Sequence, residues 1–295
     1  MNDEIAIELL LRSYVDDSNL EFNIRRCAGG DTHRSYHVKS NGLINGQPSV
    51  FVKVNDESQS SVLKSEFESL ELFQNNKTSS YPKPLLFNCD TNNCYLVMSF
   101  HNLHSLNKHS SAELGKLLAK QHQITSQKFG LDQDNYIGLT LQTNTQSKIW
   151  IDFYREQRIG FQLELAIKNG LDSELVKRIV KIQNSLDKYF VGYEPVPSLL
   201  HGDLWSGNAG FDQVSAKSFL YDPAPYFGDR ETDIAMTELF GRFPESFYQA
   251  YQQAYPLHQD YEKRKPLYNL YHALNHFNLF GRGYTNMISW LIQQL

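Results

Sequence analysis

The sequence predicts an α+β fold in two lobes: a small antiparallel β-sheet with one helix over residues 1–99, then a larger, mainly helical lobe over residues 100–295. Three observations predict it. Segments alternating apolar and polar residues crowd the first hundred positions, which is the period of a half-buried strand. Beyond them the strand signals thin, and apolar residues recur at helical spacing. Within that helical part, Leu199–Asn208 and then Asp222 place carboxylates and an amide in loops flanked by short strands.

Taken in order, residues 3–18 carry Ile5, Leu9 and Leu10 at helical spacing, with acidic residues in the first turn. Segments 22–28 and 33–39 read as strands, joined by Ala28-Gly29-Gly30-Asp31-Thr32, a turn that needs free φ. Val50-Phe51-Val52-Lys53-Val54 is a third strand. Residues 61–76 repeat apolar groups at Val62, Phe67, Leu70 and Phe73, a helix. Leu85-Leu86-Phe87 and Tyr95-Leu96-Val97-Met98 complete five strands around a hairpin turn. Residues 111–127, 150–168 and 172–190 read as helices, and 129–149 as an ordered insert or loop. Short strands bracket the loop near 199–200 and 217–221; 230–255 and 264–293 are helical. Tyr268, Tyr271, His272, Phe277 and Phe280 form an aromatic core stripe, as an amphipathic helix requires.

Composition narrows the class. With 41% hydrophobic and 21% charged residues the chain is that of an ordinary globular protein. A net charge of -5 argues against non-specific nucleic-acid binding, which needs excess Lys and Arg. No apolar run reaches bilayer length, so no membrane partner is expected. The start, Met1-Asn2-Asp3-Glu4, lacks the basic region of a signal peptide, and cytoplasmic residence is the expectation. Cys27, Cys89 and Cys94 are an odd, small set, read as reduced thiols, although Cys89 and Cys94 flank a hairpin turn and could face each other.

The chemistry concentrates at His201-Gly202-Asp203-Leu204-Trp205-Ser206-Gly207-Asn208 and Asp222-Pro223-Ala224. Phosphoryl transfer asks a protein for a carboxylate to hold the attacking hydroxyl and oxygen ligands to hold Mg²⁺ against phosphates. An Asp, an Asn five residues on, and a second Asp after a short strand supply that set. His-Gly-Asp and Asp-Pro-Ala in place of His-Arg-Asp and Asp-Phe-Gly point to kinases of small molecules rather than of proteins. Lys53, ending an alternating strand, is where such a fold places its phosphate-binding lysine. A Lys among Val and Phe needs an anion. Glu66 on the next helix is the favoured partner over Glu68, which lies on a different face. Gly29-Gly30 matches no phosphate-loop motif. Its position between the first two strands lets backbone N–H groups approach a nucleotide, and a plain hairpin turn reads equally well. His201 is read as orienting the loop, and His101, His104 and His109 as a solvated interlobe loop. In the run Asp229, Arg230, Glu231, Asp233, Glu238, Arg230 could pair with a neighbouring carboxylate; a solvated helix face is the alternative.

At these residues the chain resembles the fructosamine kinase, or ketosamine-3-kinase, family. The matching pieces include Gly29-Gly30-Asp31, Phe51–Asn55, Asn135-Tyr136-Ile137-Gly138, Asp152–Arg158, His201–Asn208 and Tyr226–Gly241. His-Gly-Asp alone is shared with aminoglycoside and choline kinases; the longer runs are more specific. The resemblance implies a two-lobed protein-kinase-like fold using ATP and Mg²⁺. It implies Asp203 as catalytic base, Asn208 and Asp222 as metal ligands, and Lys53 with Glu66 as the phosphate-anchoring pair. Met98-Ser99-Phe100 becomes the adenine-binding hinge, where backbone groups do the reading. The implied reaction is phosphorylation of the third sugar carbon of a ketosamine, free or on a protein lysine, a repair step because the product sheds its sugar. A protonated ketosamine amine calls for carboxylates and an aromatic wall; Trp205 is placed for the wall, and Asp229 or Glu231 for the amine. A kinase of another hydroxylated amine, of aminoglycoside or choline type, is the competing enzyme. A nucleotide-binding pseudokinase is the competing non-enzyme.

Overall fold

The structure, a computed structural model, describes residues 2–15, 17, 19–27, 33–78 and 80–295. Gly29 and Gly30 lie outside the described residues. The chain divides into two compact units, Met1–Leu103 with Asp212–Tyr221, and His104–Phe211 with Asp222–Leu295.

The first unit is built on a five-stranded antiparallel sheet in the order β1-β2-β3-β5-β4. Its strands are β1 (Phe22–Arg26), β2 (Arg34–Ile44), β3 (Gln47–Asp56), β4 (Pro84–Cys89) and β5 (Asn93–Ser99). Val38, Val50, Val52, Val54 and Val97 share one cluster with Ala6, Ile7, Leu10 and Leu11 of helix α1 (Asp3–Tyr14). β-Branched residues on alternate positions suit that pleated, covered face. Helix α2 (Ser60–Asn75) lies between β3 and β4 in sequence and buries Leu63, Leu70 and Phe73. Two expectations change here. Helix α1 stops at Tyr14, and Ile5 and Leu9 stand exposed while Ile7 and Leu11 face the sheet. Cys89 and Cys94 are not reduced thiols but a disulfide: they sit directly opposite in the β4–β5 register with Cα atoms 4.0 Å apart, the close approach of a non-hydrogen-bonded pair.

The chain leaves this unit through β6 (Leu103–His104) and enters α3 (Lys108–Gln121), whose start Asn107 and Ser110 close as a capping box. The insert after α3 folds into a hairpin, β7 (Asn135–Ile137) and β8 (Thr140–Gln142). One long helical run follows: α4 (Trp150–Phe153), a π-helical stretch Tyr154–Gly160, and α5 (Phe161–Lys168). Helix α6 (Ser173–Gln183) is capped by Asp172. Short strands β9 (Ser198–Leu199), β10 (Ala209–Asp212), β11 (Lys217–Leu220), which belongs to the first unit, and β12 (Phe227–Gly228) flank in sequence the loops that carry the motif residues. Helices α7 (Glu231–Leu239), α8 (Glu245–Ala254), α9 (Tyr261–Phe280) and α10 (Thr285–Gln293) complete the unit. Helix α8 packs on α3, and α9 packs on α5, α7 and α10. Tyr268, Tyr271, His272 and Phe277 are core, but Phe280 at the end of α9 is 57% exposed. Among the described residues no helix is long and apolar enough to cross a membrane.

Candidate active site

Asp203 follows Gly202, whose backbone is left-handed at φ +86° and whose hydrogen faces the Ala224 carbonyl so closely that a Cβ would lie 1.8 Å from it. Only glycine fits both demands. The Ala224 N–H donates to the His201 carbonyl at 2.8 Å. The His201–Asp203 loop and the Asp222-Pro223-Ala224 segment are thereby stitched together. Asp222 is itself left-handed at φ +53°, a conformation that short polar Asp tolerates better than most residues.

Asn208 donates through Nδ2 to the Asp203 carbonyl at 2.9 Å and to Asp203 Oδ2 at 3.2 Å. With its nitrogen committed, Asn208 presents Oδ1 as its remaining cation-binding atom. Burial and the charge of Asp222 push the Asp203 carboxyl up to about 7, with the Asn208 amide pulling against them. Asp203 is partly exposed, so a carboxyl poised near neutrality stands where a solute can reach it.

His201 is fully buried and accepts the Asp203 N–H at Nδ1, 3.2 Å, the orienting part expected of it. The loop's anchor is Asp233, which the sequence reading left as a member of an acidic run. Its Oδ2 accepts the His201 N–H at 2.7 Å and its Oδ1 the Gly202 N–H at 2.9 Å, while His122 Nε2 lies 3.0 Å from Oδ2. Against its burial, the hydrogen bond and charge of His122 and the loop N–H groups hold the Asp233 carboxyl below the usual range. The signal was present in Gly228-Asp229-Arg230-Glu231-Thr232-Asp233, but nothing local says which of three acids turns inward toward the loop.

The other two acids are corrected. Asp229 and Glu231 are fully buried, in a helix start enclosed on every side rather than a solvated face. Asp229 accepts the hydroxyls of Tyr193, at 2.8 Å, and Tyr268. Glu231 is paired with Arg264 at 2.8 Å, and Arg264 lies over the Tyr193 ring at 3.8 Å. Neither carboxylate presents a face to an acceptor amine. Arg230 pairs with no carboxylate of its own run: it donates to the Tyr251 hydroxyl and to the carbonyls of Tyr255 and Pro256.

Trp205 is half-buried, its ring laid over Gly207 and edge-on to Phe240 at 6.4 Å. Phe240 continues to His276 at 4.3 Å and to Tyr284 at 6.3 Å. A row of partly exposed rings therefore runs outward from a residue two positions past Asp203.

In the first unit, Lys53 Nζ lies 2.7 and 2.9 Å from the two Glu66 oxygens, with both side chains about nine-tenths buried. Glu68 instead lies 3.5 Å from Lys64 on a more open side of α2. At Met98-Ser99-Phe100 the Ser99 N–H is bonded to the Lys83 carbonyl and the Phe100 N–H to Ser49. The Phe100 ring stacks on His37 at 3.6 Å.

A family model described as fructosamine kinase matches residues 7–295. The chain belongs to the fructosamine kinase family. A protein of Vibrio parahaemolyticus named "Probable ketoamine kinase" is 40% identical over 272 residues, 92% of this chain and 91% of that one. The "Protein-ribulosamine 3-kinase, chloroplastic" of Arabidopsis thaliana is 40% identical over 241 residues, 81% of this chain and 73% of that protein. A crystal structure from Haemophilus somnus carrying the name "Putative fructosamine-3-kinase" superposes with a TM-score of 0.82 at 32% identity, covering 98% and 96% of the two chains. An ADP-bound aminoglycoside phosphotransferase shares the kinase-like fold at 17% identity and a TM-score of 0.64. This member of the family is accordingly an ATP-dependent phosphotransferase with an alcohol group as acceptor.

Proposed function

We propose that this fructosamine kinase relative phosphorylates the hydroxyl on the third sugar carbon of ketosamines. The observation that carries the reading is the placement of the Asp203 carboxyl: partly exposed, aimed by Asn208, and held on a loop whose backbone is fixed by Asp233, with burial and the Asp222 charge pushing it up to about 7 in the metal-free protein. A general base works best with a pKa near the working pH. Asp203 takes the hydroxyl proton as the sugar oxygen bonds to the γ-phosphorus of ATP, and ADP leaves with the electrons of the broken bond. Phosphate beside the ketone makes the adduct unstable, so the amine is regenerated; the role is deglycation, in the cytoplasm, of small amines or protein lysines.

Lys53, oriented by Glu66, holds the nucleotide phosphates. With the N–H groups of Ser99 and Phe100 already bonded, the hinge residues Met98-Ser99-Phe100 offer carbonyls to the adenine, and its N–H partner comes from further along the chain. Asp222 and the Oδ1 of Asn208 are hard oxygen donors, the set Mg²⁺ takes when waters and phosphates complete its octahedron. Bound there, the ion would neutralise charge on the transferring phosphoryl group. Trp205 walls the sugar, and the aromatic row beyond it, rather than Asp229 or Glu231, faces the protonated amine.

ADP release with Mg·ATP, measured across fructosamines, ribulosamines, aminoglycosides and choline, tests the reading. Turnover confined to the ketosamines, with product NMR placing phosphate on the third carbon, is expected. Activity confined to aminoglycosides or choline, or phosphate elsewhere on the sugar, overturns it.

A further inference from the structure

The insert hairpin β7–β8 reaches the metal-binding segment with two buried amides. Gln142 Nε2 donates to the Ala224 carbonyl at 3.0 Å and to Asn135 Oδ1 at 2.8 Å, while Gln142 Oε1 accepts the Tyr271 hydroxyl at 2.7 Å. Asn135 Nδ2 in turn donates to the Pro225 carbonyl at 2.7 Å. Both N–H groups and the oxygen of the Gln142 amide are engaged, and the residue is 1% exposed. Fully satisfied buried amides of this kind hold one rotamer, since any turn away strands several polar groups at once.

The carbonyl that Gln142 grips is the one against which Gly202 packs. Ala224 is two residues past Asp222, and its N–H is bonded to the residue before Gly202. One residue thus touches the hairpin through its carbonyl and the Asp203 loop through its N–H, on the two peptide units that flank its Cα. Asn144 locks the base of the same hairpin: it donates to Asn135 Oδ1 at 2.9 Å and accepts from Arg158 Nη2 at 2.7 Å.

We propose that Gln142 is a positioning residue for the metal site: by holding the Ala224 carbonyl, against which Gly202 packs, it sets where Asp222 presents its oxygens relative to Asp203. The hairpin is then a working part of the phosphoryl-transfer site rather than an appendage. This rests on Asp222 being a metal ligand. Divalent-ion binding is sensitive to ligand placement because Mg²⁺ demands near-ideal octahedral geometry, whereas the phosphate contact of Lys53 is set by Glu66 and does not depend on the Ala224 carbonyl.

Calorimetric ATP binding in Mg²⁺ and in EDTA provides the test, on full-length protein. Gln142→Leu is expected to weaken ATP binding about tenfold in Mg²⁺ and by less than twofold in EDTA, and to raise the half-activating Mg²⁺ concentration about tenfold. Tyr271→Phe removes only the hydroxyl that holds Gln142 Oε1; it is expected to move the same quantities in the same direction by about threefold, and it decides the matter if Gln142→Leu does not fold. Mn²⁺, which binds such sites more tightly than Mg²⁺, should narrow the deficit of either variant. Native Mg²⁺ dependence in a folded variant, or equal losses with and without the ion, overturns the proposal. If the wild-type protein itself binds ATP equally with and without Mg²⁺, the metal assignment of Asp222 falls, and this inference with it.

Discussion

Two carboxyl groups in the second unit look alike by the measure most often used to find active sites. Asp203 and Glu231 are both pushed upward, first by burial and then by a carboxylate nearby, Asp222 in one case and Asp229 in the other. Perturbed carboxyls mark functional sites only probabilistically, because structural networks produce the same shift. The two surroundings separate them. Glu231 is wholly enclosed, takes two hydrogen bonds from the Arg264 guanidinium and has Arg264 sandwiched against Tyr193. Asp203 keeps an open edge, and its carboxylate is held by a neutral amide, that of Asn208. A carboxylate sealed with its own cation holds the fold; one held by an amide at a surface is positioned to take a proton.

Disturbing each carboxyl should therefore do opposite things. Asp203→Asn is expected to lower kcat by about 10²–10⁴, the span of general acid–base contributions, with ATP affinity retained. It should also stabilise the metal-free protein. The folded pKa lies near 7 against an ordinary 3.8, so between those values the unfolded chain binds fewer protons than the native one and stability falls as pH rises. The variant escapes this. Melting in EDTA should show it more stable than wild type at pH 8, with the difference gone below about pH 4. Near-normal turnover, or a variant less stable at pH 8, would break the contrast from the Asp203 side.

From the other side, Arg264→Met strands Glu231 and should cost roughly 3–5 kcal/mol of stability, the usual loss on halving a buried ion pair. The folded fraction should keep its KM for ATP. Denaturant titration read beside steady-state kinetics checks both; intact stability with impaired ATP use would mean that this pair belongs to the active site.

The first unit holds a third case, between the two. Lys53–Glu66 is close and nearly buried but not sealed, at 9% and 11% exposed. Lys53→Met is expected to reduce kcat/KM for ATP by about 10²–10³, as loss of one preorganised electrostatic group does, with a smaller loss of stability than Arg264→Met because Glu66 is not fully enclosed. Glu68→Gln, removing a surface partner of Lys64, should change neither by more than about twofold. A large loss from Glu68→Gln would reverse the assignment of the partner.

These cases also show what the sequence could say. Lys53 and Glu66 were legible because each depends on a local period: strand alternation turns Lys53 inward, and helix spacing separates the faces of Glu66 and Glu68. Asp203, Asn208 and Asp222 can be proposed as a set from their spacing, and the structure brings Asn208 onto Asp203. Asp229, Glu231 and Asp233 were not legible in this way, because α7 is enclosed by α9, and the cation that seals Glu231 lies 33 positions downstream. Gln142 escaped notice for the same reason: its partners Ala224 and Tyr271 are distant in sequence. The Cys89–Cys94 register followed from the hairpin, but whether the sulfurs are bonded is not a matter of register. Ile5 and Leu9 misled because α1 carries more apolar residues than one face can bury.

The smallest expected effect follows from the same contrast. With Asp229 and Glu231 locked to Tyr193, Tyr268 and Arg264, the proposed partners of a ketosamine ammonium are ring faces. Trp205 begins a row that continues through Phe240 to His276 and Tyr284. Burial lowers the His276 pKa, so that ring stays neutral and does not repel a cation. A cation over an aromatic face gains about 0.5–2 kcal/mol, which corresponds to roughly a two- to thirtyfold change in KM at 1.4 kcal/mol per decade. Trp205→Ala should raise the acceptor KM by that much and leave the ATP KM within twofold. Trp205→Phe keeps a ring face and should recover most of the loss. Were the acceptor KM unchanged in Trp205→Ala while Glu231→Gln raised it, the amine would be meeting the sealed carboxylate after all, and the distinction between the two acids would fail.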